Sequence, residues 1–453
     1  MRILVLQFLP VVRGRPLPRF DPALGTLLAL LRERQHELTL LGLARPDVSA
    51  VKSALAKSLP QLIYADISAV CTDAARRTFQ YIQEHEFLPV VAGGEFATAE
   101  PAAVLSMPGV EAAALGEPDA SLVTYLERIK DPAVGQVVQG VWLRNERGLA
   151  RPQLPPLVED LDSLPFPERE LFQYADYVRR TGELEIAVGR GCPQRCGYCA
   201  NPVVTGLHAG RGTWVRRRSP QNVLDEIAEL RRRYAGARLV RFLDHAFALD
   251  LHWLVEFLAA YRAACDLPFR CHLRANAIGQ LDLPALAAAG CTLADIEVIS
   301  GSDFIRNEIF AMDLTHEQIV AAFERLKSAG VRRRAIVYLG CPYESEVSLA
   351  DTHRLLQAIT PDVVDARPYY PWPGTPAVQT CRENGWLHSR GEEQYHQDRC
   401  GIDMPACRPD VVATFLRRVR AEFPTALGQP WWRRWSSVSR STLGALRPRK
   451  AAT

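Results

Sequence analysis

Three cysteines stand close together near the middle of the chain, at Cys192, Cys196 and Cys199. They are spaced CxxxCxxC in a glycine-rich segment that follows an apolar run typical of a β-strand. Thiolates are soft ligands that suit iron or zinc, and a 4Fe-4S cluster with three cysteine ligands leaves one iron open to a further ligand. The spacing therefore predicts an iron-sulfur site on a loop at the end of a strand.

The residues that follow the three cysteines disfavour other kinds of metal site. A ferredoxin that only transfers electrons needs a fourth nearby cysteine, and the next one is Cys265. A structural zinc site also takes four ligands, and no His or Cys lies within a few residues after Cys199. Three buried structural thiols are the remaining alternative, which the tight clustering of the cysteines disfavours.

The cysteine loop opens a block in which strand-like apolar runs alternate with amphipathic helical stretches. Six such βα units follow one another, which predicts a full or partial barrel with its site at the carboxyl ends of the strands. Shorter βα units before it predict a doubly wound, Rossmann-like parallel sheet with a ligand crevice at its own strand ends. The predicted α/β chain comprises the doubly wound domain (1–130), a hairpin and proline-rich linker (131–183), the barrel (184–376) and a small C-terminal region (377–453).

Composition excludes several classes of protein. The 453 residues are 48% hydrophobic and 23% charged, which is typical of a globular chain and not of a disordered or polytopic membrane protein. The net charge is +3, and six basic residues without an acid lie in the last stretch, 431–453, so no nucleic-acid-binding face is expected. Eleven cysteines and an N-terminus that reads as a strand predict a cytoplasmic protein.

The cysteine segment resembles the cluster loop of the radical S-adenosylmethionine (SAM) enzymes, including the aromatic Tyr198 just before the last cysteine. Other segments resemble landmarks of the class that carries an N-terminal cobalamin-binding domain. In the barrel these segments are 217–220, 242–250, 299–303 and 339–344, and in the first domain the strand-end glycine turns at 90–95 and 114–117.

The resemblance implies three cofactors, namely a 4Fe-4S cluster, SAM and cobalamin, and the residues that contact them. The cluster would be ligated by the three cysteines. The implied SAM contacts are Tyr198, Glu297, Ser300 and Gly301, and the implied cobalamin contacts are Ser68, Gly93, Gly94, Gly116 and Glu117.

The resemblance also implies a reaction, C-methylation of an unactivated carbon through a 5'-deoxyadenosyl radical and methylcobalamin. Two alternatives stay open. One is radical cyclisation, rearrangement or oxidation without methyl transfer, and the other is a non-enzymatic corrinoid or iron-sulfur carrier. The implied partners are a small-molecule, lipid or peptide substrate and an external electron donor such as flavodoxin or ferredoxin.

The sequence departs from the family pattern in three places. Gly93-Gly94-Glu95 imitates a SAM-binding Gly-Gly-Glu but precedes the cysteines by about a hundred residues, so it belongs to the first domain. Ile299 stands where the family has Glu before Ser-Gly-Ser, and Glu297, two residues earlier on the same strand face, is expected to substitute for it. The first domain lacks the Asp-x-His-x-x-Gly signature of a cobalt-ligating histidine. Asp250-Leu-His252 comes near it but opens a barrel helix, so we interpret it as a helix cap beside a surface histidine. Cobalamin is therefore expected to have no protein histidine below the metal.

Several smaller features have structural interpretations. Cys265, Cys271, Cys291 and Cys341 are expected to be small buried hydrophobes, and Cys381, Cys400 and Cys407 structural or free thiols. The aromatic loop at 369–376 would line a substrate pocket or close the barrel. Trp431, Trp432 and Trp435 beside basic residues predict either peripheral contact with the inner face of a membrane or packing of the tail on the barrel.

Overall fold

The computed structural model describes residues 1–12, 15–16, 20–130, 138–145, 148–150, 153–245, 247–388 and 391–425. Two sheets organise these residues, with seven strands in the first and six in the second. The strands are β1 (Arg2–Phe8), β2 (Val11–Val12), β3 (Arg15–Pro16), β4 (Glu37–Leu43), β5 (Leu62–Asp66), β6 (Val90–Gly93), β7 (Val110–Ala114), β8 (Val141–Asn145), β9 (Gly148–Ala150), β10 (Glu183–Ile186), β11 (Gly189–Arg190), β12 (Arg216–Arg217), β13 (Leu239–Phe242), β14 (Phe269–His272), β15 (Cys291–Ile299), β16 (Arg332–Leu339) and β17 (Val363–Pro368).

Helices connect the parallel strands and cover both faces of the first sheet. Several begin at a side chain that accepts a hydrogen bond from the first turn, such as Ser219 before α9 and Thr315 before α12. The helices are α1 (Pro22–Glu33), α2 (Val48–Ser58), α3 (Thr72–His85), α4 (Gly94–Ala99), α5 (Pro101–Leu105), α6 (Pro118–Lys130), α7 (Tyr174–Thr181), α8 (Asn201–Leu207), α9 (Pro220–Arg233), α10 (Leu251–Ala264), α11 (Leu283–Ala288), α12 (His316–Ser328), α13 (Glu346–Ile359), α14 (Pro376–Glu383), α15 (Gly391–His396) and α16 (Pro409–Glu422).

The first sheet has the strand order β4-β1-β5-β6-β7-β8-β9. The first five of these strands are parallel, and β1 is buried along almost its whole length because helices cover both of its faces. β4 is added on one side of β1 and the following strands on the other, so the strand order reverses between β1 and β5, which is the point where a doubly wound sheet opens its crevice.

The hairpin β8–β9 lies in a different place from the one that the sequence suggested. It pairs antiparallel with β7 and so extends the first sheet, whereas the pattern of the sequence placed it in the linker, 131–183. The pairing gives the edge of β7 a hydrogen-bonded neighbour, which a short linker hairpin on its own would not have.

The second sheet is the partial barrel that the six βα units predict. Its strands are parallel in the order β10-β13-β14-β15-β16-β17, which is also their order along the chain. Its interior forms one continuous apolar core, while the first sheet has a separate core on each face. All six strands therefore direct their carboxyl ends toward one rim, where a barrel site is expected.

Candidate functional site

The cysteine loop leaves the barrel between β10 and α8. The short strands β11 and β12 pair antiparallel at its base. Gly191, directly before Cys192, has φ +82°, and a Cβ there would lie 2.1 Å from the carbonyl oxygen of Trp214. A glycine is required at this turn because any side chain would overlap the backbone.

The loop is also fastened at its far end. The Gly197 N–H donates to the Phe310 carbonyl at 2.8 Å, and a Cβ on Gly197 would lie 2.9 Å from the Ile309 carbonyl oxygen. The Asn201 side-chain amide donates to the carbonyl oxygens of Cys192 and Gln194 at 2.9 and 2.6 Å. These bonds fix the backbone that carries the three cysteines.

The donor set around the sulfurs fits an iron-sulfur cluster. The Asn201 backbone N–H donates to Cys199 Sγ at 3.4 Å, and Arg274 Nη1 lies 3.8 Å from Cys196 Sγ. Burial raises the pKa of Cys199 to about 12, although the Asn201 N–H opposes the rise. A metal replaces the proton of such a thiol, and N–H donors stabilise the resulting sulfur ligand.

A single metal ion and an iron-sulfur cluster require different arrangements of the same cysteines. Within the ranges that the structure describes, no group of three or more His, Cys, Asp or Glu side chains is arranged to hold a metal ion. The ligands of one ion must converge on one point, whereas those of a cluster bind different irons.

Tyr198 and Glu297, two of the implied SAM contacts, lie together. The Tyr198 hydroxyl donates to Glu297 Oε2 at 3.1 Å, and His245 Nδ1 lies 2.9 Å from Glu297 Oε1. Burial opposes ionisation of Glu297, but the hydrogen bonds from His245 and Tyr198 and the positive charge of His245 lower its pKa to about 2. Glu297 is thus an ionised carboxylate held in place from two sides.

Glu297 faces a cleft at the carboxyl ends of β13, β14 and β15. Beneath it, His272 lies 3.7 Å from Asp295, which in turn pairs with Arg334 at 3.4 Å. Burial lowers the pKa of His272 to about 3, so this imidazole is neutral. The cleft is lined by His245, His272, Leu273, Arg274, Ala275, Asn276, Asp295, Glu297 and Leu314.

Five polar residues of this cleft were not among the site residues inferred from the sequence, namely His245, His272, Arg274, Asn276 and Asp295. His245, Arg274 and Asn276 each follow the carboxyl end of a barrel strand. Their position could have marked them as site residues, because the sites of such barrels are built from residues at strand ends. His245 lies inside the segment 242–250 that resembles the family, yet the resemblance assigned it no role.

Ser300 and Gly301, the other two implied SAM contacts, pack against α13. The Gly301 N–H donates to Thr352 Oγ1 at 2.7 Å, and a Cβ on Gly301 would lie 2.3 Å from the carbonyl carbon of Asp351. Ser300 is fully buried. The structure therefore places both on the helix side of the strand end, and their contact with SAM stays a prediction.

The implied cobalamin contacts lie along the carboxyl edge of the first sheet. Ser68 follows β5, and its buried Oγ finds no hydrogen-bond partner among the described residues. A Cβ on Gly93 would lie 2.1 Å from the Tyr64 hydroxyl, and Gly94 has φ +88° with Asp66 Oδ1 2.3 Å from its Cβ position. The two glycines thus allow close packing of the protein's own groups, while the Ser68 hydroxyl retains hydrogen-bonding capacity.

Gly116, after β7, is approached from the other domain. A Cβ there would lie 2.6 Å from Nε2 of His208, which follows α8, and the His208 ring stacks on Trp214. His208 is buried, and neither ring nitrogen has a partner in the described part of the chain. Unpartnered polar groups on both sides of this edge fit a ligand rich in amide groups, such as a corrinoid.

Glu117 forms a latch between the domains with Asp119, Arg190 and Arg216. Arg190 Nη1 lies 2.8 Å from Glu117 Oε2 and also bonds Asp119, while Arg216 bonds both Glu117 oxygens. Burial opposes ionisation of Glu117, but the two guanidinium groups lower its pKa. The carboxylate faces barrel arginines, so its contact with cobalamin stays a prediction.

The Asp250 segment, the loop after β17 and the remaining cysteines can each be compared with what the sequence predicted. The Asp250 side chain accepts from the Trp253 N–H at 3.0 Å, and the His252 side chain is 87% exposed, which confirms a helix cap beside a surface histidine. The loop after β17 is turned toward the first domain, where Tyr370 and Trp372 pack on its core. The cysteines expected to be buried or free are all buried free thiols, namely Cys265, Cys271, Cys291, Cys341, Cys381, Cys400 and Cys407.

Comparison with known proteins finds a family match within the barrel. Residues 186–356 match the model of the Radical SAM superfamily. The cytidylyl-2-hydroxyethylphosphonate methyltransferase of Streptomyces wedmorensis is 24% identical over 286 residues, which cover 55% of this chain and 52% of that enzyme. The anaerobic magnesium-protoporphyrin IX monomethyl ester cyclase of Cereibacter sphaeroides is 22% identical over 241 residues, 50% of this chain and 37% of that enzyme. The matches thus span about half or less of these curated relatives.

Two solved structures share the fold along most of the chain. The radical SAM methyltransferase TsrM from Kitasatospora setae, with cobalamin and a [4Fe-4S] cluster bound, aligns with a TM-score of 0.66 at 21% identity over 86% of this chain and 80% of TsrM. The cobalamin-dependent radical SAM enzyme OxsB, with aqua-cobalamin bound, aligns with a TM-score of 0.70 at 16% identity over 89% of this chain and 65% of OxsB. Both likenesses confirm the predicted fold class.

Proposed function

We propose that this chain, which contains a radical SAM domain at residues 186–356, is an enzyme that uses SAM and cobalamin to methylate a carbon of its substrate. The observation that carries the proposal is the fastened cysteine loop with N–H donors on its sulfurs, joined to the polar cleft through Arg274 and Tyr198. The shared fold with TsrM and OxsB, whose structures hold cobalamin, supports the second cofactor.

The cysteine loop would hold the cluster through Cys192, Cys196 and Cys199. Bound together, the three cofactors supply the electron, the hydrogen-abstracting radical and the methyl group of such a reaction. The chain's own residues hold the backbone of the site in place before these cofactors bind. Gly191 and Asn201 fix the loop backbone, which would reduce the reorganisation needed when the metal binds.

Glu297 would bind the polar part of SAM. Its carboxylate is ionised, and His245 and Tyr198 fix its orientation, so it can accept hydrogen bonds from a ligand hydroxyl or ammonium group. Below Glu297, the neutral His272 pairs with Asp295, and this pair fixes the polar groups at the floor of the cleft.

The latch would hold the two cofactor sites in one orientation. Arg190 lies two residues before Cys192, and its guanidinium bonds Glu117, which follows Gly116 at the carboxyl edge of the first sheet. A methyl group can reach a substrate radical only if the two sites face each other at short range. The latch therefore links the loop that would hold the cluster to the sheet edge that would hold the corrinoid.

The test measures two products of SAM. Reduced, anaerobically reconstituted protein with cobalamin is incubated with SAM and candidate substrates of the small-molecule, lipid and peptide classes. Methylation predicts both 5'-deoxyadenosine and S-adenosylhomocysteine together with a methylated product. 5'-Deoxyadenosine with no S-adenosylhomocysteine favours cyclisation, rearrangement or oxidation, and neither product favours a carrier. The Cys192, Cys196 and Cys199 triple alanine variant should hold no cluster, and about four irons in it would refute the assignment.

The partners and the location stay predictions. Reduction requires an external donor, such as flavodoxin or ferredoxin, and the cytoplasm is the expected compartment. Among the described residues no helix is both long and apolar enough to cross a membrane. The tail, 431–453, lies outside the described residues, so its contact with a membrane is tested by sedimenting the full chain and a chain ending at Pro430 with anionic vesicles. Equal behaviour of the two would remove that role.

A further inference from the structure

Arg274 connects the cysteine loop to the cleft. It lies two residues beyond the end of β14 and lines the cleft, with Nη1 3.8 Å from Cys196 Sγ and Nη2 donating to the Met312 carbonyl at 3.1 Å. Its Nε is buried and has no hydrogen-bond partner in the described ranges. One end of this guanidinium is thus anchored on the backbone and the other is held against a sulfur.

A fixed cation next to a cluster ligand changes the energy of reduction. Reduction adds one negative charge to the cluster and its thiolates, and a positive charge a few ångströms away stabilises the reduced form more than the oxidised form. N–H donors to the sulfurs act in the same direction, and hydrogen bonds of this kind are among the factors that set iron-sulfur potentials. A guanidinium bonded to Cys196 therefore favours the reduced cluster.

We propose that Arg274 is a positioning residue that raises the reduction potential of the cluster held by Cys192, Cys196 and Cys199. The proposal rests on the proposed function, because it assumes that these cysteines hold a cluster. An easier reduction would let a weaker electron donor load the cluster with its electron. The chemistry stays with the cluster, and Arg274 changes the electron affinity of the centre.

Two other charges near the loop are paired with groups of opposite charge. Glu297 is negative, but His245 pairs with it at 2.9 Å. The Arg217 side chain lies 4.0 Å from Asp244, which offsets its charge. Arg274 has no carboxylate partner in the described part of the chain, so its charge acts on the sulfurs without a counter-ion.

The geometry requires arginine in particular. The planar fork donates to Met312 and to the sulfur at the same time, whereas the compact ammonium of lysine has no such fixed pair of donors. Arg274→Lys keeps the charge and loses the fork, and Arg274→Gln loses the charge as well. The two variants therefore separate the contribution of charge from that of hydrogen-bond geometry.

The experiment is a redox titration of the reconstituted full chain, followed by the EPR signal of the reduced cluster. Arg274→Gln should move the potential to more negative values and lower the ratio of reduced to oxidised cluster at a fixed potential about tenfold, which corresponds to about 59 mV for one electron. Arg274→Lys should lie between Arg274→Gln and the wild type. Asn276→Ala is the matched control, because Asn276 lines the same cleft and donates to the Asp313 carbonyl without touching a cysteine.

Iron content and the visible spectrum are measured on each protein first. Potentials of the Gln and Lys variants that equal the wild-type value overturn the inference, and so does an equal shift in Asn276→Ala. Failure of both Arg274 variants to retain iron also overturns it, since Arg274 would then be required to hold the cluster. A wild-type protein that forms no cluster refutes the proposed function itself, so the two failures are distinguishable.

Discussion

The barrel cleft is lined by charged side chains that bond one another, whereas the carboxyl edge of the first sheet is built around glycines that other protein groups approach closely. In the cleft, Glu297 is held by His245 and Tyr198. At the sheet edge, Gly93 adjoins the Tyr64 hydroxyl and Gly116 adjoins the His208 ring. The two regions thus achieve their geometry by different means, one through hydrogen bonds and the other through close packing.

The two regions depend on the rest of the molecule in different ways. The cleft and the cysteine loop are assembled from barrel residues and retain their bonds as long as the barrel is folded. The sheet edge faces His208 and is tied to the barrel by the latch of Glu117, Asp119, Arg190 and Arg216. We therefore expect damage to the loop to stay local and damage to the latch to reach both regions.

The largest effect is expected from Cys199→Ser, which tests whether the two regions are separable. A hydroxyl is a poor ligand for a 4Fe-4S cluster, so bound iron and the formation of 5'-deoxyadenosine should fall below detection. The affinity for cobalamin, measured from its absorption spectrum, should stay at the wild-type value. Loss of cobalamin binding in this variant would show that the loop and the sheet edge form one site.

The second largest effect is expected from Glu117→Gln, which breaks the latch. The change leaves Arg190 and Arg216 without their shared carboxylate, and removing one partner of a largely buried ion pair costs about 3 kcal/mol. Urea unfolding should show this loss, and the yield of methylated product per SAM cleaved should fall. Asp176→Asn is the control, since its pair with Arg179 is exposed and is worth less than about 1 kcal/mol.

The latch also predicts a pH dependence. The pKa of Glu117 is lowered in the folded chain, so its stabilisation is present above the unfolded value of about 4.3 and is lost as the pH falls through the lower folded value. The wild type should therefore lose stability below about pH 4 more steeply than Glu117→Gln. Parallel curves for the two proteins would contradict this role of the latch.

A smaller effect is expected from Glu297→Gln, confined to the cleft. Burial lowers the pKa of His245, but the hydrogen bond and charge of Glu297 raise it above its ordinary value. The pair therefore stabilises the fold fully below about pH 6.5, and this contribution is lost as the pH rises through the folded pKa. In the variant, an NMR titration should find the His245 pKa lower, and SAM should bind about tenfold more weakly. An unchanged His245 pKa would show that the carboxylate does not control it.

The smallest effects concern the Asp250-Leu-His252 segment, which imitates a cobalt-binding signature within the barrel. Asp250→Ala removes the N-cap of α10 and should cost about 1 kcal/mol in urea unfolding. His252→Ala should change neither stability nor the spectrum of bound cobalamin, because the side chain is exposed. A changed cobalamin spectrum would move the corrinoid from the first sheet to this helix.

The sequence by itself determined the elements and the chemistry of the loop. Strand and helix periodicity is a local property, so the βα blocks could be read directly, as could the cysteine spacing after a strand. Glu297 was singled out through the family resemblance, because it lies two residues before the position where the family has Glu, although the register of β15 shifts between Glu297 and Ile299. The cap at Asp250 followed from the same kind of local rule.

Only the tertiary structure decided which distant residues meet. Arg190 and Glu117 are 73 residues apart in the chain, Arg216 and Glu117 are 99 apart, and Arg274 and Cys196 are 78 apart. No periodicity or spacing relates such residues, because their contact depends on how the two sheets pack and on where each strand ends. The addition of β8 and β9 to the first sheet was decided in the same way, because a hairpin carries no local mark of the edge strand with which it pairs.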